Sequence, residues 1–273
     1  MHRLLNINVC DFSVFCVKKG EELDKKRTIQ VLLLIMLLGA SVRVARCYLV
    51  NWIERDPVAY ITMSNYIAQG EIEKAIQIRP EIPPLHITLM AAMGKTGLFA
   101  EYAGVLISLV SGILIIFAVF LIASMIFDDK IALLAAFIAS LQTELVHNST
   151  FILRESLALC FMLFALYFAM WAIKNHSWWK WCLSGMLTAL CGLTRPDGME
   201  VFWAIPLWLF VSLIFCPTER KKILTKCLPG FVMFVIVFCV IAFPVQGYFQ
   251  SYGSIYTALL DSRLLGLYLG LKF

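Results

Sequence analysis

Residues 101–130 read EYAGVLISLVSGILIIFAVFLIASMIFDDK, an apolar run with no charge between Glu101 and Asp128. A hydrocarbon core about 30 Å thick is crossed by roughly 20 apolar residues in helical conformation, so this stretch is long enough to span a bilayer. Working outward from it, six further runs share the pattern, approximately at residues 28–50, 131–147, 152–173, 181–194, 199–216 and 228–246. Hydrocarbon offers backbone amides and carbonyls no water partner, which leaves helices as the spanning unit for such runs. The expectation is an all-α, polytopic transmembrane helix bundle of about seven or eight spans. The run at 181–194 is short. Its residues rise only ~21 Å as a helix, so one end must stop inside the membrane or in a protein-lined cavity.

Composition supports this class. Of 273 residues, 61% are hydrophobic and 15% charged, where a soluble domain is about half apolar and a quarter charged. That balance excludes a single water-facing domain and a disordered chain. The net charge of +5 is small and interrupted by apolar runs, so no nucleic-acid partner is expected. The nine cysteines form no CxxC pair or Cys/His cluster. Cys160, Cys182, Cys191, Cys216 and Cys239 lie in or at the ends of apolar runs and read as packing.

Basic residues set the orientation, because short loops rich in Lys and Arg are retained in the cytoplasm. Lys18, Lys19, Lys25, Lys26 and Arg27 precede the first run. With that tail inside, alternation also places Lys130, Lys174, Lys180 and the Arg220, Lys221, Lys222, Lys226 group inside. The chain then divides into a cytoplasmic N-terminal tail, residues 1–27, and a transmembrane domain, residues 28–273, whose first outer loop is 51–100. The first run reads as an uncleaved signal anchor, since no A-x-A-like cleavage site precedes it. The sequon Asn148-Ser149-Thr150 lies tightly between two runs and is expected to be unused. No internal repeat is visible, which gives an inverted-repeat transporter no support.

The outer loop carries structure of its own. Asp56 can cap a helix over 57–69 that starts at Pro57 and stops at Gly70. A second short helix follows, with Ile72, Ala75 and Ile76 on one face and Glu73, Lys74 and Gln77 on the other. Both are expected to lie in the interface. Residues 255–271, apolar but for Asp261 and Arg263 in their middle, either begin an eighth span or lie on the surface.

Charge at a membrane face is costly unless paired or hydrated, so the polar groups there are the informative ones. Four groups fall on the outer side: Glu54-Arg55-Asp56, Arg79-Pro80-Glu81 with Pro83-Pro84-Leu85-His86, Arg154-Glu155, and Arg195-Pro196-Asp197-Gly198. Mixed carboxylates and arginines suit transfer onto a hydroxyl from a phosphate leaving group. A carboxylate takes the acceptor's proton, while arginines or a divalent cation stabilise charge on the departing phosphate. No Gly-rich phosphate loop is present, so the donor is expected from the membrane.

The order of these features resembles the GT-C superfamily over residues 28–216: a first run bearing Arg43 and Arg46, Asp56-Pro57-Val58-Ala59-Tyr60 opening an outer helix, Pro83-Pro84-Leu85, then a span, a short hairpin and Arg154-Glu155. It is most similar to dolichyl-phosphate-mannose protein mannosyltransferase-like enzymes and to lipid A aminoarabinose transferases. The resemblance implies an inverting glycosyltransferase that moves a sugar from a polyprenyl-phosphate donor to a lipid, glycan or protein acceptor. Its active face would be extracytoplasmic, in a bacterial plasma membrane or on the lumenal side of the endoplasmic reticulum. Asp56 and Glu155 match the family's acidic positions and are the catalytic candidates. Arg55, Tyr60, Arg79, Arg154 and Arg195 are the substrate-binding candidates, and Glu81 with His86 are candidates to hold a divalent metal ion. No other cofactor is expected.

Two residues depart from the family: Pro57 stands where a second acid is common, and His86 where an aromatic residue usually follows the PPL run. The chain is also shorter than most members, which reads as a compact or truncated one. Bland readings stand beside these. Asp56 is also an ordinary cap, Glu155 a first-turn acid favoured by the helix dipole, and Arg195-Pro196-Asp197-Gly198 a turn. Arg43 and Arg46, three apart, point into the bundle or snorkel outward. Competing functions are a noncatalytic or incomplete subunit, and a transporter or flippase of a lipid-linked solute.

Overall fold

The computed structural model describes residues 24–49, 55–196, 200–215 and 223–256. Among these residues every regular element is helical. Helix α1 is Lys25–Leu49, and the segment between it and the next long helix holds α2 (Arg55–Ala68), α3 (Ile72–Ile78) and α4 (Pro84–Gly94). Then come α5 (Ala100–Ile126), α6 (Asp129–Leu141), α7 (Thr143–Asn148), α8 (Arg154–Asn175), α9 (Trp178–Gly192) and α10 (Glu200–Phe215). A π-helical turn, Ile223–Cys227, leads into α11 (Leu228–Gln250).

Four of these helices are long and apolar enough to cross a membrane: Lys25–Leu49, Ala100–Ile126, Arg154–Asn175 and Thr225–Gln250. They match the runs expected at 28–50, 101–126, 152–173 and 228–246. The other three expected spans form shorter helices, so the count of seven or eight is not reached among the described residues. The 131–147 run breaks at Gln142, whose extended backbone ends α6 after 13 residues and whose side chain caps α7 by accepting from the Leu145 amide at 2.9 Å. Helix α9 has 15 residues and α10 has 16, with Pro206 inside it; at 1.5 Å per residue neither reaches 30 Å.

Small residues set how closely the long helices approach, as expected where hydrocarbon removes the hydrophobic drive between them. On α1 the buried face is Thr28, Leu32, Ile35, Gly39 and Arg43, packed on α5 and α6 through Ile116, Leu133 and Ala136. Leu33, Leu34 and Leu37 face outward. A Cβ on Gly112 of α5 would stand 2.3 Å from the Cβ of Ser149, and one on Gly104 2.4 Å from Ile152. Helix α5 is thereby pressed against the connection that leads into α8. Helices α8 and α9 form an antiparallel hairpin turned by His176 at φ 51°. The Ser184 hydroxyl donates to the Ala165 carbonyl at 2.9 Å across it, and a Cβ on Gly185 would lie 2.4 Å from the Phe234 carbonyl of α11.

Helices α2 and α3 form much as their pattern dictates. Ala75 and Ile76 of α3 are buried while Glu73, Lys74 and Gln77 are exposed, and Gly70 turns the chain at φ +84°. Asp56 differs from its expected place: α2 begins at Arg55, so the carboxylate lies in the first turn rather than at the cap. The Pro83-Pro84-Leu85 run opens a helix that periodicity did not suggest, with Pro84 in its first turn where a missing amide costs nothing. Residues 1–23 of the N-terminal tail, Glu54, the 197–198 pair, the Arg220–Lys222 cluster and residues 257–271 lie outside the described residues, while residues 25–27 of the tail already belong to α1.

Candidate functional site

The start of α8 and the end of α9 lie at the same end of their hairpin, and the α2–α4 region packs against them. Leu85 donates its amide to the Leu193 carbonyl at 3.0 Å, joining the first turn of α4 to the end of α9. Beneath α2, Tyr60 and Met63 are each 1% exposed and pack with Ile87, Met90 and Ile152. Helical spacing from Tyr60 then places Asp56 one turn earlier, at the rim of that core.

Two ion-paired groups result. Arg79 reaches Asp56 at 3.4 Å and closes on Glu81 through its Nε. Arg195 closes on Glu155, although 40 residues separate them. Tyr60 joins the two groups: its hydroxyl lies 3.5 Å from the Asp56 carboxylate, and the Arg154 guanidinium sits over its ring at 5.4 Å. Burial, opposed by Arg154, pushes the Tyr60 hydroxyl up to about 12, so it is a proton donor near neutral pH.

Charge is unevenly shared here. Arg79 and Arg195 each have a carboxylate, whereas Arg154 forms no ion pair among the described residues and its Nε is buried without a hydrogen-bond partner. Oε2 of Glu155 is likewise buried and unpartnered. An unmet donor and an unmet acceptor on adjacent residues are what a charged, hydroxyl-bearing ligand would satisfy. Arg154 also opens α8, where the helix dipole and free amides favour an anion.

His86 is 0% exposed, stands edge-on to Tyr60 with ring centroids 5.6 Å apart, and has neither ring nitrogen bonded. Burial first, and Arg154 second, lower its pKa to about 3, so the ring is neutral near neutral pH. As metal ligands, Glu81 and His86 do not form a fitting set. Glu81 is engaged by Arg79, His86 faces Tyr60, and among the described residues no three His, Cys, Asp or Glu side chains gather as a metal cluster. A divalent cation takes more oxygen donors than this pair offers.

Of the residues singled out in the sequence, Asp56, Tyr60, Arg79, Glu81, His86, Arg154, Glu155 and Arg195 are therefore brought into one cluster. The Arg55 side chain lies outside the described residues. Arg43 and Arg46 stand apart from the cluster. Arg43 is wholly buried and donates to Ser149 Oγ at 2.9 Å, to the Ser140 carbonyl at 2.9 Å and to the Gly39 carbonyl at 3.0 Å, while Arg46 lies 3.0 Å from the His147 ring. They tie α1 to the turn before α8. Sequence reasoning missed Ser254 and Tyr256, which dock onto Pro80 and Gly192 at the edge of the cluster. An aromatic residue in an apolar tail carries no signal for such a role.

Residues 81–259 match the family model described as dolichyl-phosphate-mannose-protein mannosyltransferase. No curated protein and no solved structure matches the chain.

Proposed function

The chain belongs to the dolichyl-phosphate-mannose-protein mannosyltransferase family, a GT-C type of membrane glycosyltransferase, and from that premise we propose that it moves a sugar from a polyprenyl-phosphate donor to an acceptor hydroxyl on the extracytoplasmic face, with inversion. The observation that carries the reading is Arg154, a guanidinium at a helix start with no carboxylate on it, between two carboxylates that have arginines of their own.

In the proposed reaction the acceptor oxygen attacks the anomeric carbon as the bond from that carbon to the phosphate oxygen breaks. Asp56, half-exposed and steadied by Arg79 and the Tyr60 hydroxyl, takes the acceptor's proton. Arg154, held over the Tyr60 ring, meets the charge that develops on the departing polyprenyl phosphate. Glu155, held by Arg195, offers its unpartnered Oε2 to a hydroxyl of the donor sugar. His86, neutral and buried, supports the Tyr60 ring from behind.

The test is transfer of label from a panel of polyprenyl-phosphate sugars to membrane acceptors, comparing wild type with Asp56→Asn at equal amounts of inserted protein. Loss of a general base lowers turnover by about 100- to 10,000-fold. Stability should change little, because a half-exposed pair at 3.4 Å contributes under ~1 kcal/mol. Near-normal turnover by the variant would remove Asp56 from the mechanism.

A further inference from the structure

The segment after α11 reaches back over the site. Ser254 donates its hydroxyl to the Pro80 carbonyl at 3.1 Å, and the Ile255 amide donates to the same carbonyl at 3.1 Å. Pro80 lies between Arg79 and Glu81, the two partners of the first ion-paired group. One residue further, Tyr256 is 2% exposed and its hydroxyl donates to the Gly192 carbonyl, across 64 residues of sequence. Gly192 is the last residue of α9, and the turn it begins carries Arg195.

The amides of the turn bond locally. The Leu193 amide donates to Ala189 and the Thr194 and Arg195 amides donate to Cys191, all within the last turn of α9. Contacts from elsewhere include Leu85 on the Leu193 carbonyl, Tyr256 on the Gly192 carbonyl and Glu155 on the Arg195 side chain. The Tyr256 ring packs with Ala189, Leu193, Phe238 and Ala242, so it is held from α9 and α11 at once. Its hydroxyl is also near enough to Arg154 to feel that charge, which acts against the burial that raises its pKa.

We propose that Tyr256 is a positioning residue for sugar transfer: by holding the Gly192 carbonyl it sets the turn that aims Arg195 at Glu155, while Ser254 and Ile255 hold the Arg79-bearing loop in register with it. The role rests on the assignment of the Arg195–Glu155 pair to the donor made above. It acts through Arg195 and touches no reacting atom.

Tyr256→Phe keeps the buried ring and removes only the hydroxyl. In donor and acceptor saturation experiments on the full chain in liposomes, the donor KM is expected to rise about tenfold, with the acceptor KM unchanged. In an Arg195→Gln background the same substitution should add nothing, since the effect passes through that side chain. Equal effects of Tyr256→Phe in both backgrounds, or an unchanged donor KM, would overturn the proposal. Hydrogen exchange gives a readout independent of turnover: amides of residues 193–195 should exchange faster in the variant, and unchanged exchange there would also overturn it. If wild type transfers no sugar from any lipid-phosphate donor while the exchange difference is present, the assigned reaction fails and the positioning contact stands.

Discussion

Replacing Arg154 with methionine separates a ligand-binding charge from a structural one. On the folded protein the substitution has two opposed effects. It removes a guanidinium stacked 5.4 Å from the Tyr60 ring centroid, a contact that contributes about 1–2 kcal/mol when desolvated. It also removes a buried Nε that has no hydrogen-bond partner, and an unmet buried donor costs about 1–3 kcal/mol. The two nearly offset, and no carboxylate among the described residues is orphaned by the change, so the thermal midpoint should stay within a few degrees of wild type. The ligand side has no such compensation. Charge-assisted hydrogen bonds to a phosphate contribute about 1.5–3 kcal/mol, which converts to a donor KM raised roughly 10- to 150-fold. Arg154→Lys keeps the charge without the planar fork and should fall between the two. The assay is donor saturation with a polyprenyl-phosphate sugar in proteoliposomes, alongside thermal unfolding in detergent. A donor KM within threefold of wild type would refute the anion-site reasoning, and a large loss of stability with unchanged KM would make Arg154 a structural cation.

His86 predicts a pH dependence of stability. Its folded pKa of about 3 lies below the ordinary 6.5, so the unfolded chain binds the proton first and stability is lost as pH falls from 6.5 towards 3. At pH 5 the loss is about 2 kcal/mol, and His86→Phe, which keeps an aromatic ring against Tyr60, should abolish that part of the slope in thermal melts at pH 7 and pH 5. An identical slope in the variant would count against a buried neutral imidazole. Gly112→Ala should destabilise by about 1–3 kcal/mol through overpacking, since its Cβ would meet Ser149 at 2.3 Å and Arg43 Nε at 3.0 Å. Unfolding midpoints of the single variant check this. A midpoint unchanged from wild type would show that the close approach leaves room for a methyl group.

Much of the architecture was legible in the sequence because the signals are one-dimensional. The absence of charge between Glu101 and Asp128 is a property of consecutive residues, and it becomes α5 with little said by the rest of the chain. The same holds for the other three long helices, and for α3, whose buried Ala75 and Ile76 follow from helical spacing alone. Where the reading of spans went too far, a local competitor acted: the Gln142 side chain caps a new helix and splits the 131–147 run. The Pro83-Pro84-Leu85 run gave no amphipathic period because α4 is apolar nearly all round, as a helix packed on several sides is.

The sequence by itself determined that this is a multi-pass membrane protein, where its long helices lie, and which polar residues stand at their ends, because length, charge and helical spacing are properties of neighbours along the chain. Only the tertiary structure decided who pairs with whom. Arg195 could have served an anion directly, and the structure puts it on Glu155, leaving Arg154 of that cluster without a carboxylate among the described residues. Tyr60 read as a substrate-binding candidate by family resemblance, and the structure places it between Asp56 and Arg154. Tyr256 read as apolar tail and became the clasp on Gly192. Apart from the one-turn contact of Tyr60 with Asp56, each of these joins distant segments, at a distance set by how closely glycine, alanine and serine let the helices approach, and that distance is written nowhere in the local pattern.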